Sequence, residues 1–266
     1  MQGSISPKKS LGQNFLKDPN TIRKIVSALH ASPEDHVVEI GPGIGALTDE
    51  LVKRYPAFTA IELDQRAVDF LREKHPDLDV RRQDVLEVDW AALVEEKGGP
   101  LHVIGNLPYY ITSQILFALL DARPHIREAV LMMQLEVAER LVAQPKTKEY
   151  GILSVAVQLY TQPELLFRVS PNVFYPKPEV TSAVVRLTFT DANVDQVVDP
   201  SYLRLVVREA FSQRRKTLRN TLSRWTKDRG IELPNGWAQS RAEELSPQDF
   251  ITLAAHLGRH EREELS

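Results

Sequence analysis

The chain contains no cysteine, which excludes disulfides, thiolate zinc sites and cysteine nucleophiles together. Its seven histidines are scattered, none in the spacing of a metal-binding pair, so no metal centre is expected. No apolar run approaches the roughly 18 residues of a membrane span. The start, Met1-Gln2-Gly3-Ser4, lacks the basic-then-apolar pattern of a secretory signal, and a cytoplasmic protein without membrane contact is expected. A basic excess is missing too: the formal net charge is -3, which argues against a generic nucleic-acid binder. Charge distribution keeps two local positive patches open, because Lys8-Lys9 lie near the start and Arg214-Arg215-Lys216 with Arg219 far along, while the acids are dispersed. Internal repeats are also absent.

What is present is a chain of 266 residues, 42% apolar, long enough for one large domain or one domain plus a small one. Ser6 to Leu16 is polar, basic and then apolar without helical or strand period, and it reads as an ordered arm. Asp18-Pro19 is an N-cap followed by proline, and Ile22, Ile25, Val26 and Leu29 recur at helical spacing, predicting a helix to about Ala31. From His36 to Leu63 the pattern is strand, glycine loop, helix, strand, a βαβ unit with a ligand loop (Gly41-Pro42-Gly43-Ile44-Gly45) at its first turn. Glu62 ends the second strand, where a carboxylate can accept hydrogen bonds from both hydroxyls of a ribose. The loop is G-x-G-x-G and not the dinucleotide G-x-G-x-x-G, and no lysine-containing phosphate loop occurs. A tight structural turn is the bland alternative; loop and spaced acid together favour an adenosine-containing cofactor without a pyrophosphate.

The unit repeats. A helix through Ala67, Val68 and Leu71 precedes a strand at Leu78-Asp79-Val80, after which Asp84 either accepts a hydrogen bond from an adenine amine or caps a turn. A helix from Trp90 to Glu95 leads to the apolar strand Leu101-His102-Val103-Ile104. This strand delivers Gly105-Asn106-Leu107-Pro108-Tyr109-Tyr110 to a carboxyl end, where open α/β sheets bind ligands. Amide, proline and aromatic ring side by side can grip a flat, amine-bearing ring, while an ordinary strand-to-helix turn with Thr112 as N-cap stays open. Further strands are predicted at Ala129 to Met133, Leu165 to Phe167 and Ser182 to Leu187, with helices through Val137 and Leu141 and from Ile152 to Tyr160. Gln144 to Tyr150 reads as a surface loop. Pro171 to Pro178 holds Phe174-Tyr175 between three prolines, either outward for a ligand or as a rigid crossover with a buried Phe. Beyond a polar joint at Asp191 to Asp199, only helices follow: one from Asp199-Pro200, a basic one from Arg214 to Leu222, which is either an RNA contact or a solvated face, and a last one capped by Ser246-Pro247. Glu261 to Ser266 reads as disordered.

The order of Leu11-Gly12-Gln13-Asn14-Phe15-Leu16, Glu39-Ile40-Gly41-Pro42-Gly43-Ile44-Gly45, Ile61-Glu62-Leu63-Asp64, Gln83-Asp84-Val85, Asn106-Leu107-Pro108-Tyr109 and Phe174-Tyr175-Pro176-Lys177-Pro178 resembles the ribosomal RNA adenine N6,N6-dimethyltransferases. The similarity runs from about Pro7 to Leu187 and continues through Ala210 to Arg219. It implies a Rossmann-like class I S-adenosylmethionine-dependent methyltransferase fold, a mostly parallel sheet with helices on both faces, over 1–190. Within it 1–17 would be an arm closing over the cofactor, and 191–266 a small all-α C-terminal domain. Gly41, Gly43, Glu62, Asp84 and Val85, with Asn14 and Leu16 from the arm and Asn106, would hold S-adenosylmethionine. The substrate implied is a pair of adjacent adenines in the 3′-terminal hairpin loop of small-subunit ribosomal RNA, met by a monomer within a pre-assembled particle. Lys8, Lys9, Arg214, Arg215, Lys216 and Arg219 would bind RNA phosphates.

The chemistry expected of Asn106, Leu107, Pro108 and Tyr109 follows from the adenine N6 lone pair, which is delocalised and poorly nucleophilic. Acceptance of both N–H bonds by the Asn106 side-chain oxygen and the Leu107 carbonyl would localise that pair. Tyr109 would stack on one face of the base and Phe174 on the other. Two rivals share the motifs: a large-subunit RNA adenine methyltransferase of the macrolide-resistance type, and a non-catalytic binding protein of the mitochondrial transcription-factor type.

Overall fold

The computed structural model describes residues 8, 13–56 and 58–263. Contacts group the chain into two compact units, Met1–Ala138 with Gln162–Phe189, and Glu139–Thr161 with Thr190–Ser266. The sequence places the domain boundary at 190; by contact, Glu139–Thr161 also joins the helical unit.

In the first unit, seven strands form one sheet: β1 (His36–Ile40), β2 (Phe58–Glu62), β3 (Asp79–Arg82), β4 (Leu101–Asn106), β5 (Ile126–Gln134), β6 (Thr161–Val169) and β7 (Ser182–Phe189). Their order is β3-β2-β1-β4-β5-β7-β6. β1 to β5 pair in parallel, while β7 runs antiparallel to β5, and helices cover both faces. Order reverses between β1 and β4, which opens a crevice at their carboxyl ends. β1, β2, β4 and β5 are apolar runs buried on both faces, as a covered parallel sheet requires.

Aspartates start three helices of this unit. Asp18 accepts from the Thr21 amide at 2.7 Å ahead of Pro19–Ser27, and Asp64 and Asp89 cap Gln65–Lys74 and Trp90–Lys97 in the same way. Two predicted boundaries move. The first helix stops at Ser27 and not near Ala31, because Arg186 on β7 takes the Ala28 carbonyl at 2.7 Å and Glu128 on β5 takes the His30 amide at 2.8 Å. Thr112 is not the N-cap of Thr112–Asp121; Ile111 holds that position, and the Thr112 hydroxyl donates to the Pro108 carbonyl at 3.0 Å.

The second unit is helical, its longest elements being Ile152–Tyr160, Pro200–Ala210 and Pro247–Glu263. Its core holds the fully buried Trp225 and the ring series Tyr150, Phe211 and Phe250, with centroids 6.2 and 5.7 Å apart. Gln144 to Tyr150 is exposed over most of its length but ends on Tyr150, whose hydroxyl donates to the Leu245 carbonyl at 2.8 Å. The expected basic helix from Arg214 to Leu222 does not form. A 3-10 turn covers Phe211–Gln213, a turn carries Arg214 to Lys216, and helix resumes only over Leu218–Thr221. The cause is tertiary: Leu218 donates its amide to the Ser240 carbonyl at 2.8 Å, and Arg214 is engaged elsewhere. The last helix runs to Glu263, into the tail expected to be disordered; 264–266 lie outside the described residues.

One glycine sets the spacing of the two central strands. A Cβ on Gly105 of β4 would lie 2.6 Å from the Ile40 carbonyl oxygen of β1. Gly105→Ala therefore forces β1 and β4 apart, with an expected loss of about 1–3 kcal/mol in stability, read as a lowered thermal midpoint. An unchanged midpoint would show that the strands tolerate the methyl.

Candidate active site

At the carboxyl ends of β1, β2, β3 and β4 lies a cleft with about 990 Å³ of empty space open to solvent. Gly41 and Gly43 follow β1 with φ of 65° and 57°, left-handed conformations that favour glycine. A Cβ on Gly43 would come within 3.1 Å of the Phe15 ring, so a side chain there would make that ring give by a few tenths of an ångström.

Glu62, at the end of β2, accepts from the Gly43 amide at 3.0 Å through one oxygen and from the Asp64 amide at 2.8 Å through the other. Burial raises its pKa, against these backbone hydrogen bonds, which favour the carboxylate. The remaining lone pairs of both oxygens can meet a diol. Asp84 caps a 3-10 turn, one oxygen accepting from the Leu86 amide at 2.9 Å, and with Val85 it lines the cleft.

Asn106 ends β4. Its side-chain Nδ2 donates to the Asn14 carbonyl at 3.1 Å, which leaves Oδ1 as an acceptor. Asn106 also closes against the loop, since its backbone oxygen lies 3.7 Å from the position a Gly41 Cβ would take. Leu107 is buried, with its amide bonded to the Met132 carbonyl at 2.9 Å, whereas the Pro108 carbonyl is occupied by Thr112. The Tyr109 hydroxyl bonds Ser182 at 2.6 Å and fixes the ring at the cleft wall; burial raises its pKa, so it stays protonated at neutral pH.

The arm is held at three places. Gln13 to Leu16 line the cleft, and Phe15–Leu16 pairs antiparallel with Phe174–Tyr175. The nearly buried Asp64 binds Lys8 and Gln13, both at 3.3 Å, and Arg66 at 2.6 Å. The Arg66 guanidinium holds the Asp64 carboxyl well below the usual carboxylate range.

Several expected site residues are placed otherwise. Lys8 pairs with Asp64 at 3.3 Å while its side chain stays 46% exposed; Lys9 lies outside the described residues. Phe174 is only 5% exposed and packs in the apolar cluster with Leu16 and Val173, so in this conformation it is the buried Phe of a crossover and not the second face of a base site. Arg214 is a clamp: its Nε donates to Glu243 at 2.9 Å and its Nη2 to the carbonyls of Thr147 and Lys148. Arg215, Lys216 and Arg219 are exposed.

Glu39 carries no expected role in the sequence, yet it lines the cleft while 1% exposed. Thr48 donates its hydroxyl to it at 2.7 Å, which joins β1 to the helix after the glycine loop. Burial pushes its pKa up to about 8, opposed by the Thr48 hydrogen bond and reinforced by Glu62. Its one signal in sequence is an acid inside an otherwise apolar strand.

The charge of the cleft selects its ligand. Its ionisable acids are Glu39, Glu62 and Asp84, and among the described residues no lysine, arginine or histidine lines it. A pyrophosphate would meet only like charge, whereas a nucleoside bearing a positive sulfonium meets acids, glycine backbone and an apolar wall of Ile40, Ile61 and Val85. Among the described residues no group of three or more His, Asp or Glu is arranged to hold a metal ion.

This strand order, glycine loop and spaced acid define a class I S-adenosylmethionine-dependent methyltransferase. The ribosomal RNA adenine dimethylase family model matches residues 5–258, and the chain belongs to that family. A ribosomal RNA small subunit methyltransferase A of Salinibacter ruber is 58% identical over 254 residues, covering 96% of this chain and 86% of the relative. Its counterpart in Prosthecochloris aestuarii is 49% identical, covering 95% of each. Among solved structures, a dimethyladenosine transferase from Plasmodium falciparum shares the fold with TM-score 0.76 at 24% identity, covering 92% of this chain and 98% of that one. The 23S rRNA methyltransferase ErmE gives TM-score 0.67 at 28% identity, covering 92% and 100%.

Glu39 makes stability depend on pH. Between about 4.5 and about 8 the folded chain keeps a proton there that the unfolded chain has lost. Its contribution is therefore greatest at low pH and declines as pH rises through that window. Glu39→Gln should flatten the fall in thermal midpoint between about pH 5 and pH 8; an unchanged slope would mean the carboxyl is already ionised in the fold.

Proposed function

We propose that this enzyme dimethylates N6 of two adjacent adenines in the 3′-terminal hairpin loop of small-subunit ribosomal RNA, presented within a pre-assembled small subunit. The observation that carries the chemistry is the Asn106 amide, whose Nδ2 is committed to the Asn14 carbonyl at 3.1 Å while Oδ1 remains an acceptor. The names of the relatives at 58% and 49% identity support the small-subunit substrate over the large-subunit one.

S-adenosylmethionine supplies, when bound, an electrophilic methyl on a positive sulfonium. Gly41, Gly43, Glu62, Asp84 and Val85, with Asn14 and Leu16 of the arm, hold it. Asn106 Oδ1 and the Leu107 carbonyl accept the two N–H bonds of the target amine and localise its lone pair. Tyr109, locked by Ser182, offers one face to the flipped base. Phe174, expected to supply the other, is packed beneath the pairing of Phe15–Leu16 with Phe174–Tyr175. No side chain serves as a titrating base: the Tyr109 hydroxyl keeps its proton, and the amine proton leaves to water. After the first transfer the remaining N–H keeps one acceptor, and the site must admit an N6-methyl.

Residues 1–190 form the catalytic domain in this reading, with 1–17 as the arm over the cofactor. Residues 191–266 form the helical domain, whose exposed Arg215, Lys216 and Arg219 meet RNA phosphates. The enzyme works as a cytoplasmic monomer.

Labelled S-adenosylmethionine given with under-methylated small-subunit particles, and separately with large-subunit RNA, should label two adjacent adenines of the small subunit. Label confined to large-subunit RNA would replace this substrate. Asn106→Ala should lower methyl transfer by roughly a hundredfold or more with cofactor binding largely kept; full activity would remove Asn106 from the mechanism.

A further inference from the structure

The mechanism leaves one exposed aromatic ring at the cleft unused. Tyr110 follows Tyr109, lines the same cleft and is 55% exposed. Its exposure removes it from the core, and Tyr109 already supplies the hydroxyl that anchors the turn to Ser182. Two other rings near the surface of this unit are occupied. Tyr175 has the Lys17 ammonium 4.1 Å from its ring centre, and Phe167 has that of Lys24 at 3.9 Å. Among the described residues Tyr110 makes no such ring or cation contact, and exposed Leu63 continues the apolar lining of the cleft.

A base turned into the cleft breaks its stacks with the nucleotides beside it on the strand, and the nucleotide left at the mouth presents a bare face. An exposed ring one residue beyond the base-holding tyrosine is placed to restore the missing stack, and every base has a π-face to offer it. We propose that Tyr110 stacks on the nucleotide adjacent to the target adenine, and so positions the RNA and not the methyl donor. The proposal rests on the adenine N6 reading above. With two adjacent adenines as substrate, the nucleotide at Tyr110 is the second target. One ring then holds one adenine while the other reacts, which ties the two modifications together.

Tyr110→Ala, Tyr110→Leu and Tyr110→Phe, assayed on under-methylated small-subunit particles with each adenine mapped, test this. Loss of one base–aromatic stack should raise KM for the particles by about 5- to 150-fold in the Ala and Leu variants. Their kcat should change by no more than about twofold, and cofactor Kd should stay at the wild-type value. More particles should carry a single modified adenine. Tyr110→Phe should match the wild type, since the ring face and not the hydroxyl makes the contact. An unchanged KM in the Ala and Leu variants overturns the proposal, as does a Phe variant as impaired as Ala, a fall in kcat at constant KM, or weakened cofactor binding. Failure of the adenine reading would show separately, as wild-type enzyme that leaves small-subunit adenines unlabelled.

Discussion

The close approach of β1 and β4 at Ile40 and Gly105 is the constraint on which the site depends. Both strands end there, one in the glycine loop and the other in Asn106. With only hydrogen at Gly105, the Ile40 carbonyl lies where a Cβ would collide at 2.6 Å, and the two ends come together at the crevice where strand order reverses. Donor loop and acceptor amide are thus set by backbone packing at the centre of the sheet. Side chains on mobile loops could not hold an acceptor to the tolerance that positioning demands.

Within that frame the acids divide their tasks by environment. Glu62 raises the proton affinity of Glu39, and Glu39 is the more deeply buried. Burial pushes Glu39 up to about 8, so it keeps its proton at neutral pH, while the Gly43 and Asp64 amides favour the ionised form of Glu62 against the burial that raises its pKa. A neutral Glu39 bonds Thr48 and joins loop to helix without adding a second buried charge. The resulting cleft is negative at a few points and apolar elsewhere, suited to a nucleoside cation and hostile to phosphate.

Features that depend on local pattern were legible in the sequence. Apolar runs gave β1, β4 and β5; the Asp18-Pro19 pair marked a real helix start; the glycine loop and Glu62 were found by spacing alone. Features that depend on distant partners were not. The pairing of Lys8 with Asp64, 56 positions away, has no signal in the local pattern. Arg214 looks like part of a basic helix face until the carbonyls of Thr147 and Lys148 claim it. Phe174 offered two readings, exposed or buried, and the pairing of Leu16 with Phe174 decides for burial in this conformation. Gly105 was visible only as the start of a motif, because its role is a contact with another strand.

The arm joins these local and distant features into one device. Asp64 caps the helix after β2 and also binds Lys8 and Gln13, so the end of β2 anchors the arm beside the acid meant for the ribose. One residue past Gln13, the Asn14 carbonyl accepts from Asn106 Nδ2. A carbonyl can only accept, so an arm in this position selects the amide orientation that leaves Oδ1 as an acceptor. With the arm away, either end of that amide could face the cleft, and an –NH2 there would repel the amine it must bind. Arm closure and amide orientation are therefore linked. By reciprocity, an amine held at Oδ1 favours the closed arm, as a closed arm favours the amine. In the proposed mechanism, the segment that Asp64 anchors beside the cleft is thereby also the one that orients the acceptor amide.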